Sequence, residues 1–201
     1  MPGAAGKAAR GRPRVHGRRE EILRTAARVF SEQGFRQATL EDVAGALSIT
    51  RPALYHYAKS KDELLAECAK IAQDLLRDAL EEASQTALGR DQLAIYFRRY
   101  AEIICDDFGR CFVLTDRREL SPADAEINRL HQRELSDAVH RMIVAGEADG
   151  SLRAVDPTDA TRALYAAFNG IPRWYHPEGR RAPARIADDF LAVFFTGLAS
   201  D

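Results

Sequence analysis

Between positions 50 and 61 the chain collects side chains that can read and grip a nucleic acid. Arg51 can pair bidentately with a guanine edge, and Pro52 or Ala53 can pack on a thymine methyl. Tyr55 and His56 can bond phosphates and fix register. Lys61 would add a cation beside the positive end of the helix it opens. Thr39, Thr50 and Tyr57 border the same stretch and are placed with it as DNA-facing residues. Catalytic chemistry is much harder to find. The chain has no phosphate-cradling glycine loop, no nucleophile elbow and no His-Glu-x-x-His helix. Asp106 and Asp107 are adjacent, and neighbouring residues on a helix point different ways. His16, His56, His131, His140 and His176 lack the paired spacing of a zinc site. The reading is therefore a binding protein with no catalytic residue, no metal and no cofactor.

The elements that must hold these residues are helices. Ile22, Leu23, Ala26, Ala27 and Phe30 recur at helical spacing. Gly34 then supplies a left-handed stop, and Phe35 can fold back on Phe30. Thr39-Leu-Glu-Asp42 has the form of a capping box opening a short helix at 40–47. Thr50 caps a second short helix at 51–57, with Pro52 tolerated in its first turn. Ile49 and Leu54 would brace that helix from behind, leaving Arg51, Pro52, Ala53, Tyr55 and His56 outward. This is a helix-turn-helix whose second helix enters the major groove. Ser60-Lys-Asp-Glu63 opens a long helix to about Ala83. Further helices are expected at about 90–106, 110–120, 122–148, 157–172 and 184–199. The fold class is all-α, with about nine helices.

Charge divides the chain. Residues 1–61 hold 12 Lys/Arg against 5 Asp/Glu, while residues 62–201 hold 17 against 25. A basic head on an acidic body suits a DNA-binding domain joined to one that does not touch DNA. Residues 1–16 read as a flexible basic arm, 17–61 as the DNA-binding domain and 62–201 as a ligand-binding and dimerisation domain. Arg10, Arg12, Arg14, Arg18 and Arg19 would track the DNA backbone or minor groove, the alternative being a solvated tail. At 46% apolar and 29% charged the chain can build a core. No apolar run approaches the roughly 20 residues of a membrane span. No apolar segment marks a secretory leader, and three cysteines suit a reducing compartment. A cytoplasmic location without membrane attachment is expected. Cys105 and Cys111 flank Gly109, where a thiol switch and buried structural thiols are both open readings.

The stretch REEILRTAARVFSEQGFRQATLEDVAGALSITRPALYHYAKSKDELL resembles the DNA-binding domain of the TetR (tetracycline-repressor-like) family of bacterial regulators. The resemblance rests on Ala27, Phe30, Gly34, Thr39, Val43-Ala44, Ile49, Leu54-Tyr55, Tyr57 and Lys59-Ser60-Lys61-Asp62. Ser48 departs from it, since the family usually has glycine in that turn. The resemblance implies a homodimeric regulator, mostly a repressor, that leaves a palindromic operator when its C-terminal domain binds a small effector. The segment Asn169 to Leu198, with its Arg-Trp-Tyr-x-Pro-x-Gly corner, is similar to a subgroup regulating lipid, fatty-acid and sterol catabolism. That implies an acyl-CoA thioester, against the alternatives of a multidrug-type sensor or a ligand-independent architectural dimer.

The family's cavity would be lined by Tyr96, Tyr100, Phe112, Tyr165, Phe168, Asn169 and Trp174, although aromatic stripes at this spacing also build cores. Arg98, Arg99, Arg173 and Arg180 are candidates for thioester phosphates. Apolar faces on the last two helices suggest a four-helix dimer interface through Leu164, Ile171, Phe190, Phe194 and Leu198.

Overall fold

The structure, a computed structural model, describes residues 17–197. The arm at 1–16, with Arg10, Arg12 and Arg14, and the dimer-face residue Leu198 lie outside the described residues. Every regular element among the described residues is helical.

The first helix, α1 (Arg18–Gln33), buries Ile22, Leu23, Ala26, Ala27 and Phe30. Gly34 takes φ 84°, and Phe35 returns onto Phe30 with ring centroids 5.2 Å apart. A full capping box opens α2 (Leu40–Ala46): the Asp42 N–H donates to Thr39 Oγ1 at 3.2 Å, and the Thr39 N–H donates to Asp42 Oδ2 at 2.8 Å. Ser48 stands at φ 52°, the one non-glycine residue in the left-handed region among those described. The turn that glycine usually makes is thus kept by serine, at about 1–2 kcal/mol. Thr50 caps α3 (Arg51–Tyr55), and Ser60 caps α4 (Lys61–Ser84).

The body continues with α5 (Gly89–Cys105), α6 (Asp107–Leu114), a 3-10 turn at Arg117–Glu119, α7 (Pro122–Ala148), α8 (Pro157–Phe168), α9 (Ile171–Trp174) and α10 (Pro183–Thr196). The helices expected at 51–57 and 184–199 end earlier, at Tyr55 and Thr196, and two others differ more. The helix expected at 110–120 starts earlier, because Asp106 caps it by accepting from the Phe108 N–H at 3.3 Å. It ends at Leu114, where Thr115 turns extended. Gly109 therefore lies inside α6, where a Cβ would stand 2.0 Å from the Ile103 carbonyl. The helix expected at 157–172 stops at Phe168, and α9 follows as a separate turn. Pro172 forbids continuity, since its ring would clash with the Phe168 carbonyl and it has no N–H to donate.

Two cores result. One joins α1, α2 and α3 to the first turns of α4 through Leu64, Leu65, Cys68 and Ala72, and also takes in Phe108 and Cys111 of α6. The other packs α5 against α4, α7, α8 and α10 around Tyr96, Phe97 and Phe168. The division drawn after residue 61 thus separates the chain in sequence but not in packing.

Gly109→Ala is expected to lose about 1–3 kcal/mol by forcing α6 off α5. Gly45→Ala, on α2 with open space around it, should lose nothing. Urea melts of the two variants check the contrast.

Candidate DNA-reading head and effector cavity

On the head, Arg51, Pro52, Tyr55 and His56 are exposed, Ala53 and Tyr57 are half-buried, and Leu54 is fully buried behind them. The outward set is held in place before any DNA arrives. The Arg51 guanidinium donates to Tyr55 Oη at 2.8 Å, lies over the Tyr55 ring and pairs with Glu41. The Arg51–Glu41 pair is exposed on both sides, so giving it up is inexpensive. Thr39 and Thr50 spend their hydroxyls as helix caps, so they position the two helices.

Three cations have other tasks than those expected. Lys61 Nζ donates to the carbonyls of Phe35, Arg36 and Ala38 at 2.8, 3.1 and 3.1 Å. An ammonium has three donors, so Lys61 locks the turn between α1 and α2 and is not a free phosphate clamp. Arg18 and Arg19 belong to the first turn of α1, not to an arm. Arg18 pairs with Glu21, while Arg19 bonds Glu67 at 2.6 Å and the Tyr57 carbonyl at 3.3 Å.

In the body, a cavity of about 810 Å³ opens between α7 and α8 over a floor from α5 and α6. Tyr100, Phe112, Tyr165 and Asn169 line it as expected. Tyr96 and Phe168 do not, being fully buried in the core beneath. Tyr96 instead shares a hydrogen bond with Tyr165, Oη to Oη 2.9 Å. Trp174 points outward, 42% exposed, against Phe190 and Arg181. The Tyr100 hydroxyl donates to Asn169 Oδ1 at 2.6 Å. Burial raises the pKa of Tyr96, Tyr100 and Tyr165, so these hydroxyls stay protonated and able to donate.

The sequence reading missed the α7 wall. Asn128, Gln132, Ser136 and His140 all line the cavity, and their spacing of four puts them on one helical face. That polar stripe was available as a signal. Arg117, Arg162 and Arg173 stand exposed around the mouth, with Asp137 among them. Of the expected phosphate ligands only Arg173 is there. Arg98 pairs with Asp188, Arg99 with Glu82 and Glu102, and Arg180 lies on the exposed loop after α9.

A smaller cavity of about 360 Å³ lies between α4 and the start of α7, sharing Phe112, Thr115 and Asn128 with the larger one. On its other side α6 meets the head. Arg24 of α1 bonds Asp106 Oδ2 at 2.9 Å and lies over the Phe108 ring, 4.8 Å from its centroid. Cys111 is buried in the head's core, and burial lifts its thiol to about 11 and that of Cys105 to about 12. Both stay protonated and unreactive near neutral pH.

Residues 22–68 match the description "Bacterial regulatory proteins, tetR family", and residues 86–198 match "Tetracyclin repressor-like, C-terminal domain". The chain belongs to the TetR family. It is a DNA-binding transcriptional regulator with a helix-turn-helix head. It is similar to the HTH-type transcriptional repressor KstR2 of Rhodococcus jostii, 29% identical over 92% of each chain. The fold matches the ketosteroid transcriptional regulator KstR2 of Mycobacterium tuberculosis, with TM-score 0.85 and 23% identity over 94% of this chain and 98% of that one. It also matches AibR in complex with isovaleryl coenzyme A and operator DNA, with TM-score 0.77 and 22% identity over 89% and 98%.

The residues expected at a dimer face divide by burial in this TetR-family chain. Leu164 and Ile171 are buried in the subunit's own core, and Phe190 and Phe194 are half-buried. The outward apolar residues are Val193, 45% exposed, and Trp174.

His131 of α7 carries a pH dependence. Burial, then the Arg77 charge, hold its pKa below the ordinary 6.5, opposed by Glu134 and Asp74. A folded pKa below the unfolded one gives stability that is complete above about 6.5 and lost as pH falls through the folded value. His131→Phe should flatten the fall in thermal midpoint between about pH 7 and pH 5.

Proposed function

We propose that this protein is a cytoplasmic homodimeric repressor that leaves a palindromic operator when its larger cavity takes up a CoA thioester. One observation carries the reading. α6 lines the effector cavity with Phe112 and Val113, and buries Phe108 and Cys111 in the core of the DNA-reading head. An effector that displaces α6 therefore moves α1 and the first turns of α4, and with them α3. Release requires the effector to bind the DNA-free state more tightly than the bound state, since equal affinity shifts nothing. A hundredfold loss of operator affinity corresponds to about 2.7 kcal/mol of such difference.

Three arginines at the mouth favour an anionic effector over a cationic drug, and arginine's fork suits phosphate. The bound isovaleryl coenzyme A of AibR is a thioester in the same fold. The apolar floor of Tyr100, Phe112 and Leu135 suits an acyl group.

On DNA, Arg51 and Tyr55 supply discrimination while Lys61 holds the frame. Arg51→Ala should narrow the gap between operator and random DNA by about 1–3 kcal/mol. Lys61→Ala should weaken both alike and soften the α1–α2 turn. Undiminished discrimination by an Arg51→Ala, Tyr55→Ala double variant would reject the head as assigned. Titrating the operator complex with CoA thioesters, free fatty acids and cationic dyes tests the effector. Release by dyes alone would leave a multidrug-type sensor, and release by none a ligand-independent architectural binder.

The exposed faces of α8 and α10 pair with a second copy, spacing two heads about one DNA turn, ~34 Å, or more apart. Sedimentation at micromolar concentration should return twice the chain mass. Val193→Asp with Phe194→Ser should return one chain mass and abolish operator binding.

A further inference from the structure

Two polar side chains on α7 are buried without a use in the fold. Asn128 is 6% exposed and His131 4%. Asn128 Oδ1 and both ring nitrogens of His131 have no hydrogen-bonding partner. Glu134 Oε2 stands 3.8 Å from His131 Nδ1, beyond hydrogen-bond reach. Groups left this way subtract from stability, and an apolar residue of the same shape would serve the core better.

Their place shows what they are for. Asn128 lines both cavities, at the end of the α7 polar stripe away from His140. His131 is the next residue but two, and its ring packs edge-on against Phe112, centroids 6.0 Å apart. Phe112 itself lines both cavities and contacts both cores. Between the chambers therefore stand Phe112, Thr115 and Asn128, with the unsatisfied groups of Asn128 and His131 beside the Phe112 ring. On the far side the smaller chamber reaches Leu65, Ala69 and Gln73 of α4.

We propose that Asn128 and His131 form a polar subsite for a hydroxyl or carbonyl oxygen at the inner end of the effector, reached when the Phe112 ring turns aside and joins the two chambers. This rests on the reading that the larger cavity holds the effector. A neutral imidazole offers one donor and one acceptor, and a carboxamide offers both, so a hydroxyl or a carbonyl is satisfied by the pair. Burial and Arg77 keep His131 in that neutral form. An effector long enough to arrive there touches α4 as well as α6, the two elements that enter the head's core. A plain hydrocarbon tail would leave the polar groups as unsatisfied as before. The effector class is accordingly an oxygenated chain or ring system, not a simple saturated acyl group.

The test uses Asn128→Leu and His131→Phe, singly and together, in the full chain. The probes are octanoyl-CoA against ω-hydroxyoctanoyl-CoA, and the two corresponding free acids. The unliganded variants should melt at the same temperature as wild type or higher and bind operator equally well. Wild type should release operator at about tenfold lower concentration of the hydroxylated member of a pair. The variants should lose that preference and answer the two members of each pair alike. Variants that melt lower would show that the groups are structurally partnered and would overturn the subsite. A variant that keeps the preference overturns it too, as does a wild type that answers both members of each pair alike or neither. A preference seen with the free acids while both thioesters fail would uphold the subsite and reject the thioester reading.

Discussion

The arrangement depends on α6 being packed into two cores at once. Its Phe108 and Cys111 complete the apolar interior of the reading head, and Phe112 and Val113 floor the cavity in the body. Close packing makes such a helix a poor absorber of strain, because interiors are dense and respond to displacement by shifting as units. The approach is fixed by Gly109, which lets α6 lie directly on the Ile103 carbonyl. Arg24 ties the same corner to α1 through Asp106 and the Phe108 ring. Communication between cavity and head thus needs no long path.

The head is built to hold its reading surface ready. Thr39, Thr50, Arg51, Tyr55 and Lys61 all have partners around α3. The caps at Thr39 and Thr50 and the three carbonyl bonds of Lys61 are backbone-directed. They fix where α2 and α3 begin. The Arg51–Glu41 pair is exposed and solvent-screened, so DNA can replace it at small cost. Ser48 carries backbone strain in the turn between them, held between Leu47 and Ile49, which pack half-buried on the head's core.

The cavity has the opposite character. Its mouth is cationic, its floor is aromatic, and its α7 wall is polar in a line from His140 to Asn128. Under the proposed reading it takes up a long amphipathic molecule whose charged, apolar and oxygenated parts come in that order. The buried tyrosine hydroxyls stay protonated near neutral pH and remain hydrogen-bond donors.

What the amino-acid sequence determined is the local chemistry. The capping boxes, the Phe30–Phe35 clasp, the short helices of the head and the proline-marked starts at 122 and 157 are all written in residues a few positions apart. α3 is short and buries Leu54 alone, which leaves Arg51 and Tyr55 exposed. Tertiary structure decided whatever depends on residues far apart in the chain. Whether an aromatic at helical spacing lines a cavity or fills a core turned on what lay opposite, which separated Tyr100 and Tyr165 from Tyr96 and Phe168. Lys61 found its carbonyls more than twenty residues away. Arg19 found Glu67 in the same way, so cations that read as free were already engaged. Leu164 and Ile171 faced inward because α5 offered apolar surface on that side. Periodicity states which residues share a face, but only packing states what that face meets.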